Sequence, residues 1–337
     1  MPPSTAFART SIWGLAHVDA PEVISSAWID EQLSESYERC GVRPGLLEEV
    51  AGIVERRWWP AEVTFDQAAA LAGRQAMDDA GVEPAEIDLL ISTSVCKHHL
   101  EPSVACAVHF ELGLPATATN FDLGNACLGF VNAMNVAAMA IESGQARTVL
   151  IVDGEGSRHT QEATIARLQA PTTTTADIFD QFASLTLGSG AAATVMGVPR
   201  ERAHTYLGGV SRAATENHLL CVGDLETMRT DTAGLLIGGL KLAQDTWTAA
   251  LAEGWDWESI DRFVMHQVSE VHTTKLCELL DIDPARVPLV YPHHGNMGPA
   301  AVPYTLSSIA ADLAPGERVL LMGIGSGLNC AAAELVW

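Results

Sequence analysis

One order of segments occurs twice in this chain, and that repetition limits the fold more than composition does. Phe65 to Ala80 has the apolar periodicity of a helix, and Gly81 stands where such a helix ends. A buried strand follows over Ile87 to Thr93, then a helix over 102–112 and a strand over 118–121. The small-residue turn Gly124-Asn125-Ala126 leads into a helix from Cys127, and the strand Thr148 to Asp153 comes next. The second half begins again with a helix over 235–252 and the strand Asp261-Arg-Phe-Val-Met-His266. The turn Gly295-Asn296-Met297-Gly298, a helix over 299–314 and the strand Arg318 to Met322 complete it. Spacing is kept as well as order: Asp88 to Gly124 is 36 residues, and Asp261 to Gly295 is 34. Continuous apolar strands alternating with helices predict an α/β protein with parallel-type sheets covered by helices. Two related halves of this kind stack as a five-layered αβαβα arrangement. The halves are expected at 1–200 and 201–337, with a threonine-rich surface insertion at about 158–182. Before the first repeat, Ser11 to His17 reads as a strand and Ser26 to Cys40 as a helix.

The net charge of −23 excludes nucleic acid as a partner and adhesion to an anionic membrane, both of which need a basic surface. Seven cysteines, odd in number and without a Cys-x-x-Cys pair, predict a reduced cytoplasmic protein with no disulfide framework and no metal site. Met1-Pro-Pro-Ser-Thr-Ala lacks the regions of a signal peptide, and no apolar run reaches membrane-spanning length.

The first repeat places Cys127 at a helix N-terminus, where unpaired N–H groups and the helix dipole favour a thiolate. A buried structural cysteine is the alternative at that position taken alone. If the halves pair about their two turns, His266 and Asn296 of the second half face Cys127. His266 is then available as its base or cation. By themselves, His266 fits a core histidine and Asn296 a helix cap. A thioester on Cys127 needs donors for its carbonyl oxygen, and the Cys127 N–H and the Gly325-Ser326-Gly327 loop are placed to supply them. Arg56 and Arg57, beside Trp58 and Trp59, read either as a surface turn or as a grip on the adenine and phosphates of coenzyme A.

Cys127 in its small-residue turn, His266-Gln-Val-Ser269, His294-Gly-Asn296 before a Pro/Ala-rich helix, and the terminal Gly323-Ile-Gly-Ser-Gly-Leu328 together resemble the thiolase superfamily, in its ketoacyl-synthase III-like branch. Gly14-Leu-Ala-His-Val-Asp-Ala-Pro21, Leu100-Glu-Pro-Ser103 and Val152-Asp-Gly-Glu155 extend the resemblance over essentially the whole chain. It implies the thiolase fold and a homodimer with Cys127, His266 and Asn296 in the active site. It also implies that Glu101 reaches the neighbouring subunit's site as a base. The reaction implied is head-to-head, non-decarboxylative condensation of two long-chain acyl-CoA molecules through a Cys127 thioester, giving a 2-alkyl-3-oxoalkanoic acid of olefin biosynthesis. No metal or redox cofactor is called for. A carboxylate in an acyl channel has a raised pKa and serves better as that base. Glu101 also fits a solvated acid at a helix start.

Two departures weaken the malonyl-dependent, decarboxylating reaction of this branch. Ser269 stands where those enzymes carry asparagine, and Val54 follows Gly52-Ile53 where they tend to carry arginine. The alternatives kept are that decarboxylating synthase, a subunit of a heterodimeric β-lactone-forming enzyme, a scaffold subunit and a cysteine-dependent thioesterase.

Overall fold

The computed structural model describes residues 6–337. Its first half contains strands β1 (Ser11–Asp19), β2 (Glu22–Ser25), β3 (Glu55–Trp58), β4 (Leu89–Ser92), β5 (Thr119–Asp122), β6 (Thr148–Glu155) and β7 (Gly190–Gly197). The second contains β8 (His204–Ala213), β9 (Cys221–Gly223), β10 (Met228–Thr230), β11 (Arg262–Met265), β12 (Arg318–Gly325) and β13 (Asn329–Val336). Nine of these run side by side in the order β11-β12-β13-β8-β1-β7-β6-β4-β5. At the middle, β1 meets β8 only through Ser11–Thr205 and Ile12–His204. The sheet is therefore two sheets touching at a narrow seam.

The duplication holds strand by strand. β4 runs parallel to β6, as β11 does to β12. β7 is antiparallel to β6 and to β1, as β13 is to β12 and to β8. The sheets are thus mixed rather than parallel. In the second half a short turn joins β12 to β13, and a short connection allows only an antiparallel pair. β5 has no partner strand in the second half, where residues 288–290 lead into the short helix Tyr291–His294.

Both faces of each sheet are covered, which accounts for the unbroken apolar runs. Ile91 and Val264 face inward, onto a layer made by helices Gly129–Glu142 and Ala301–Ile309 through Phe130, Met134, Val302 and Leu306. Leu90 faces outward onto helix Phe65–Ala80, and Phe263 and Met265 face outward beside Trp257 and Cys277. Helix Phe65–Ala80 opens on a capping box between Thr64 and Gln67 and ends on left-handed Gly81 (φ 61°). These layers make the thiolase fold, internally duplicated as αβαβα.

Local differences from expectation have local causes. The segment 26–40 is two helices, Ser26–Gln32 and Ser34–Cys40, divided at Leu33. The helix expected from Pro102 starts at Val104, capped by the Ser103 hydroxyl. The segment 158–182 is largely helical, over Arg158–Leu168 and Thr175–Asp180, with Thr174 and Asp177 forming a capping box. Its Ile165, Leu168 and Ile178 pack on Ile29, Leu33 and Tyr37, so the segment is anchored to the first-half core. No helix among the described residues is long and apolar enough to cross a membrane.

Candidate active site

A cavity of about 750 Å³ opens where the two halves meet, and Cys127, His266, Asn296 and Ser326 all line it. One wall is apolar, built by Leu235, Leu236, Leu240 and Ala243 of helix Thr232–Ala252 with Ile324 and Leu328. Thr160, Ala183, Thr186 and Leu187 bring the 158–187 region to another side.

Cys127 follows Ala126, which is held in the left-handed region (φ 46°), so the chain turns sharply at the end of β5 before helix Gly129–Glu142 begins. Gly325 presses on this turn: a methyl on it would come 2.8 Å from the Asn125 carbonyl oxygen and 3.1 Å from the Leu128 nitrogen. Only glycine lets the loop carrying Ser326 lie against the cysteine turn. The helix N-terminus does not make Cys127 a resting thiolate. Burial, then the nearby Glu155 charge, push the thiol up to about 12, outweighing the hydrogen bond from its own backbone.

His266 extends β11, its N–H donating to the Met322 carbonyl (2.7 Å). It is buried, its Nδ1 has no hydrogen-bond partner among the described residues, and its pKa falls to about 4. Burial is the main cause, with His272 beside it. The imidazole is therefore neutral at pH 7. Asn296 is clamped by the first half: its N–H donates to the Thr186 carbonyl and its own carbonyl accepts from Gly188 N–H (both 2.9 Å). Its Oδ1 accepts the Gly298 N–H (3.0 Å). This is a local turn bond and not a helix cap, since Met297 and Ala300 hold the N-cap positions of the two following helices without side-chain cap bonds, and the amide NH₂ is left as a donor.

The expectation that Arg56 and Arg57 grip coenzyme A is displaced. Arg56 is fully buried, with its guanidinium donating to the Ser26 hydroxyl (3.0 Å) and the carbonyls of Leu185 (3.1 Å) and Ile24 (3.4 Å). It pins the β2–β3 pair to helix Phe182–Leu185 and, being fully buried away from the cavity, cannot reach coenzyme A. Arg57 pairs with Glu55 (3.4 Å) and lies outside the cavity lining. Glu101 is exposed and does not line the cavity, although Lys97 and Leu100 of the same loop do.

One group in the cavity carries no sequence expectation beyond its motif. Glu155, the last residue of β6, is buried and accepts the Val95 N–H (2.6 Å). Burial, against hydrogen bonds from Cys96 and Val95, pushes its carboxyl up to about 7. Nearby Asp153, raised by burial and by Glu155, is bonded to the Thr93 hydroxyl. All seven cysteines are unpaired, and Cys96 and Cys221 share the cavity with Cys127.

Comparison with known proteins adds to this geometry. The family "Thiolase, N-terminal domain" matches residues 59–217, and "3-Oxoacyl-[acyl-carrier-protein (ACP)] synthase III C terminal" matches 251–337. An acyl-CoA:acyl-CoA alkyltransferase of Xanthomonas campestris is 46% identical over 98% of this chain and 99% of that protein. One from Shewanella oneidensis is 33% identical over 98% and 99%. A β-ketoacyl-[acyl-carrier-protein] synthase III of Rhodospirillum rubrum is 30% identical over 88% and 91%. Among solved structures, Xanthomonas campestris OleA with bound lauric acid and lauroyl-CoA superposes at a TM-score of 0.96, with 45% identity over 98% of this chain and 100% of that one. The cerulenin-bound form of OleA superposes at 0.97, with 45% identity over the full length of both.

Proposed function

This chain belongs to the acyl-CoA:acyl-CoA alkyltransferases of the thiolase superfamily, and from that premise we propose how its residues join two long-chain fatty acyl-CoA molecules head to head. The first acyl group passes to Cys127 as coenzyme A leaves. The second acyl-CoA loses an α-proton, and its enolate oxygen is held by the amide NH₂ of Asn296 and by neutral His266. The enolate carbon attacks the thioester, freeing the Cys127 sulfur, while the Cys127 and Ser326 backbone N–H groups stabilise the carbonyl oxygen. Hydrolysis of the β-ketoacyl-CoA gives the 2-alkyl-3-oxoalkanoic acid. The observation that carries this reading is that one cavity with a long apolar wall gathers Cys127, His266 and Asn296. A buried imidazole that stays neutral suits an enolate as a hydrogen-bond donor.

The base for the α-proton is Glu101 of a second copy of the chain. β5 closes the sheet with one edge unpaired, and an open strand edge is a template for a like strand. Around it Leu100 is 97% exposed, Phe110 82% and Phe121 37%. A homodimer formed across this edge buries them and carries the Glu101 loop toward the neighbour. The halves 1–200 and 201–337 then divide the work, with the nucleophile in one and the enolate donors in the other. Seven unpaired cysteines support a reducing, cytoplasmic setting, and the proposed chemistry uses no cofactor beyond acyl-CoA itself.

Incubation of the pure protein with myristoyl-CoA alone tests the reading. Release of coenzyme A with a β-keto acid, or the ketone it decarboxylates to, is the expected result. Myristic acid as the sole product would make the protein a thioesterase or half of a heterodimer. Product that forms only when a malonyl thioester is added would favour the decarboxylating synthase, a reading supported by the Rhodospirillum relative.

A further inference from the structure

Acylation of Cys127 sets a proton free, and of the histidines and carboxylates lining the cavity (His266, His272, Asp224, Glu226 and Glu155) two are buried. His266 is the weaker base, held near 4 by burial. Glu155 is the other. It lines the same cavity and is 5% exposed. One oxygen, Oε1, is fixed by the Val95 N–H at 2.6 Å. The other faces the turn of Asn296: a methyl built on Gly298 would come 3.9 Å from Oε2. The carboxyl thus lies between the segment leading to the Glu101 loop and the turn that carries the enolate donor. Its charge is the largest influence on Cys127 after burial.

The charged and titratable groups around Glu155 are few. Cys96 comes from the segment after β4, Asp153 from β6, and Cys127 from the helix turn. Asp153 is already engaged by the Thr93 hydroxyl. Cys96 is pushed well above the ordinary thiol range by burial and by Glu155, so it stays protonated. Glu155, raised to about 7, is the base among them that is both ionised near neutral pH and appreciably basic.

We propose that Glu155 is the catalytic base of the acylation half-reaction, taking the Cys127 proton directly or across one water. The sulfur–hydrogen bond breaks and a carboxyl O–H bond forms as the sulfur electron pair makes the new bond to the acyl carbon. The bond from that carbon to the coenzyme A sulfur then breaks, and the departing thiolate takes the proton back from Glu155. The negative charge moves from carboxylate to sulfur to leaving group, and the carboxylate is regenerated. This inference rests on Cys127 as the nucleophile and assigns separate carboxylates to the two halves of the reaction: Glu155 for acylation and Glu101 of the neighbour for enolisation.

The test is the burst of free coenzyme A released from myristoyl-CoA by the full chain, followed across pH 5 to 9. Wild type is expected to gain rate through an inflection near pH 7. Glu155→Gln, which keeps an oxygen for the Val95 N–H, is expected to slow the burst about a hundredfold and to lose that inflection, whereas Glu155→Asp recovers part of both. A Glu155→Gln burst with wild-type rate and inflection would overturn the proposal. If that variant fails to fold, the wild-type profile decides alone, since a rate flat through pH 7 excludes Glu155 as the base. Cys127→Ala separates the two readings: coenzyme A release that survives this change refutes the nucleophile rather than the base.

Discussion

Thr93 and His266 occupy the same place in their two halves, yet they do different work. Each follows the last residue of its strand, β4 or β11, and donates its N–H to the neighbouring strand, Thr93 to the Val152 carbonyl and His266 to that of Met322. The aspartates that open these strands correspond too: Asp88 accepts from the Arg147 and Thr148 N–H groups, and Asp261 from that of Arg318. Beyond the frame the likeness stops. The Thr93 hydroxyl is spent on Asp153, while the His266 ring faces the cavity. The Asn125 amide donates to Asn132 and accepts from Asn329, whereas Asn296 retains an unspent NH₂. A duplicated frame thus brings two equivalent turns to one seam. In the reaction proposed above, the first side supplies the nucleophile and the carboxyls and the second supplies neutral donors.

The sharpest test of that division separates the steps. Cys127→Ala should abolish transfer of the acyl group, a loss on the order of 10³-fold or more, with no myristoyl adduct by intact-mass spectrometry. Asn296→Ala should still form the adduct but lose condensation by roughly 10² to 10³-fold, as removal of an oxyanion donor does. Equal loss of adduct in both variants would break the assignment.

The paired glycines offer a smaller contrast. Gly295 has φ 68° and lies against the Thr186 and Leu187 carbonyls, which an added methyl would approach to 2.8 and 3.0 Å. Gly124, its counterpart, has open space around it. Gly295→Ala should cost about 1–3 kcal/mol in urea unfolding, and Gly124→Ala less than about 0.5 kcal/mol. Similar costs would mean that the second turn is not the one clamped at the seam.

A further contrast, with opposite signs for the two halves, concerns pH. Glu155 is raised from 4.5 to about 7, so folding retains a proton that the unfolded chain has released. Its contribution is full below pH 4.5 and is lost as pH rises through 7. His266 is lowered from 6.5 to about 4, so its contribution is full above pH 6.5 and is lost as pH falls through 4. Relative to wild type, Glu155→Gln should therefore gain stability from pH 4.5 to 7. His266→Asn should lose it from pH 4 to 6.5, each by up to about 1.4 kcal/mol per pH unit. Urea midpoints at several pH values check both slopes, and a shared sign would refute one of the two burials.

Features written in local order were legible before the structure. Gly81, the apolar strands and the two turns each announce themselves within a few residues, and their similar spacing in the two halves exposes the duplication. Cys127, His266 and Asn296 followed because their positions in the repeat are distinctive. Glu155 stayed silent because it ends a strand that reads as ordinary core, and its partner Val95 lies 60 residues away in sequence. Arg56 misled for the converse reason. Two arginines beside tryptophans look exposed until the backbone carbonyl of Leu185, 129 residues on, closes over one of them. The thiolate expected at Cys127 failed on a balance of magnitudes: a helix end contributes less than the burial of a sulfur beside a carboxylate.

The exposed Glu101 loop beside the unpaired β5 edge has a consequence for inheritance under the arrangement proposed above. A chain that has lost its cysteine could still lend its carboxylate to a neighbour that has lost only the carboxylate. Two defective alleles, damaged on opposite sides of that edge, would then restore a working site in the mixed dimer. Two alleles damaged on the same side would not.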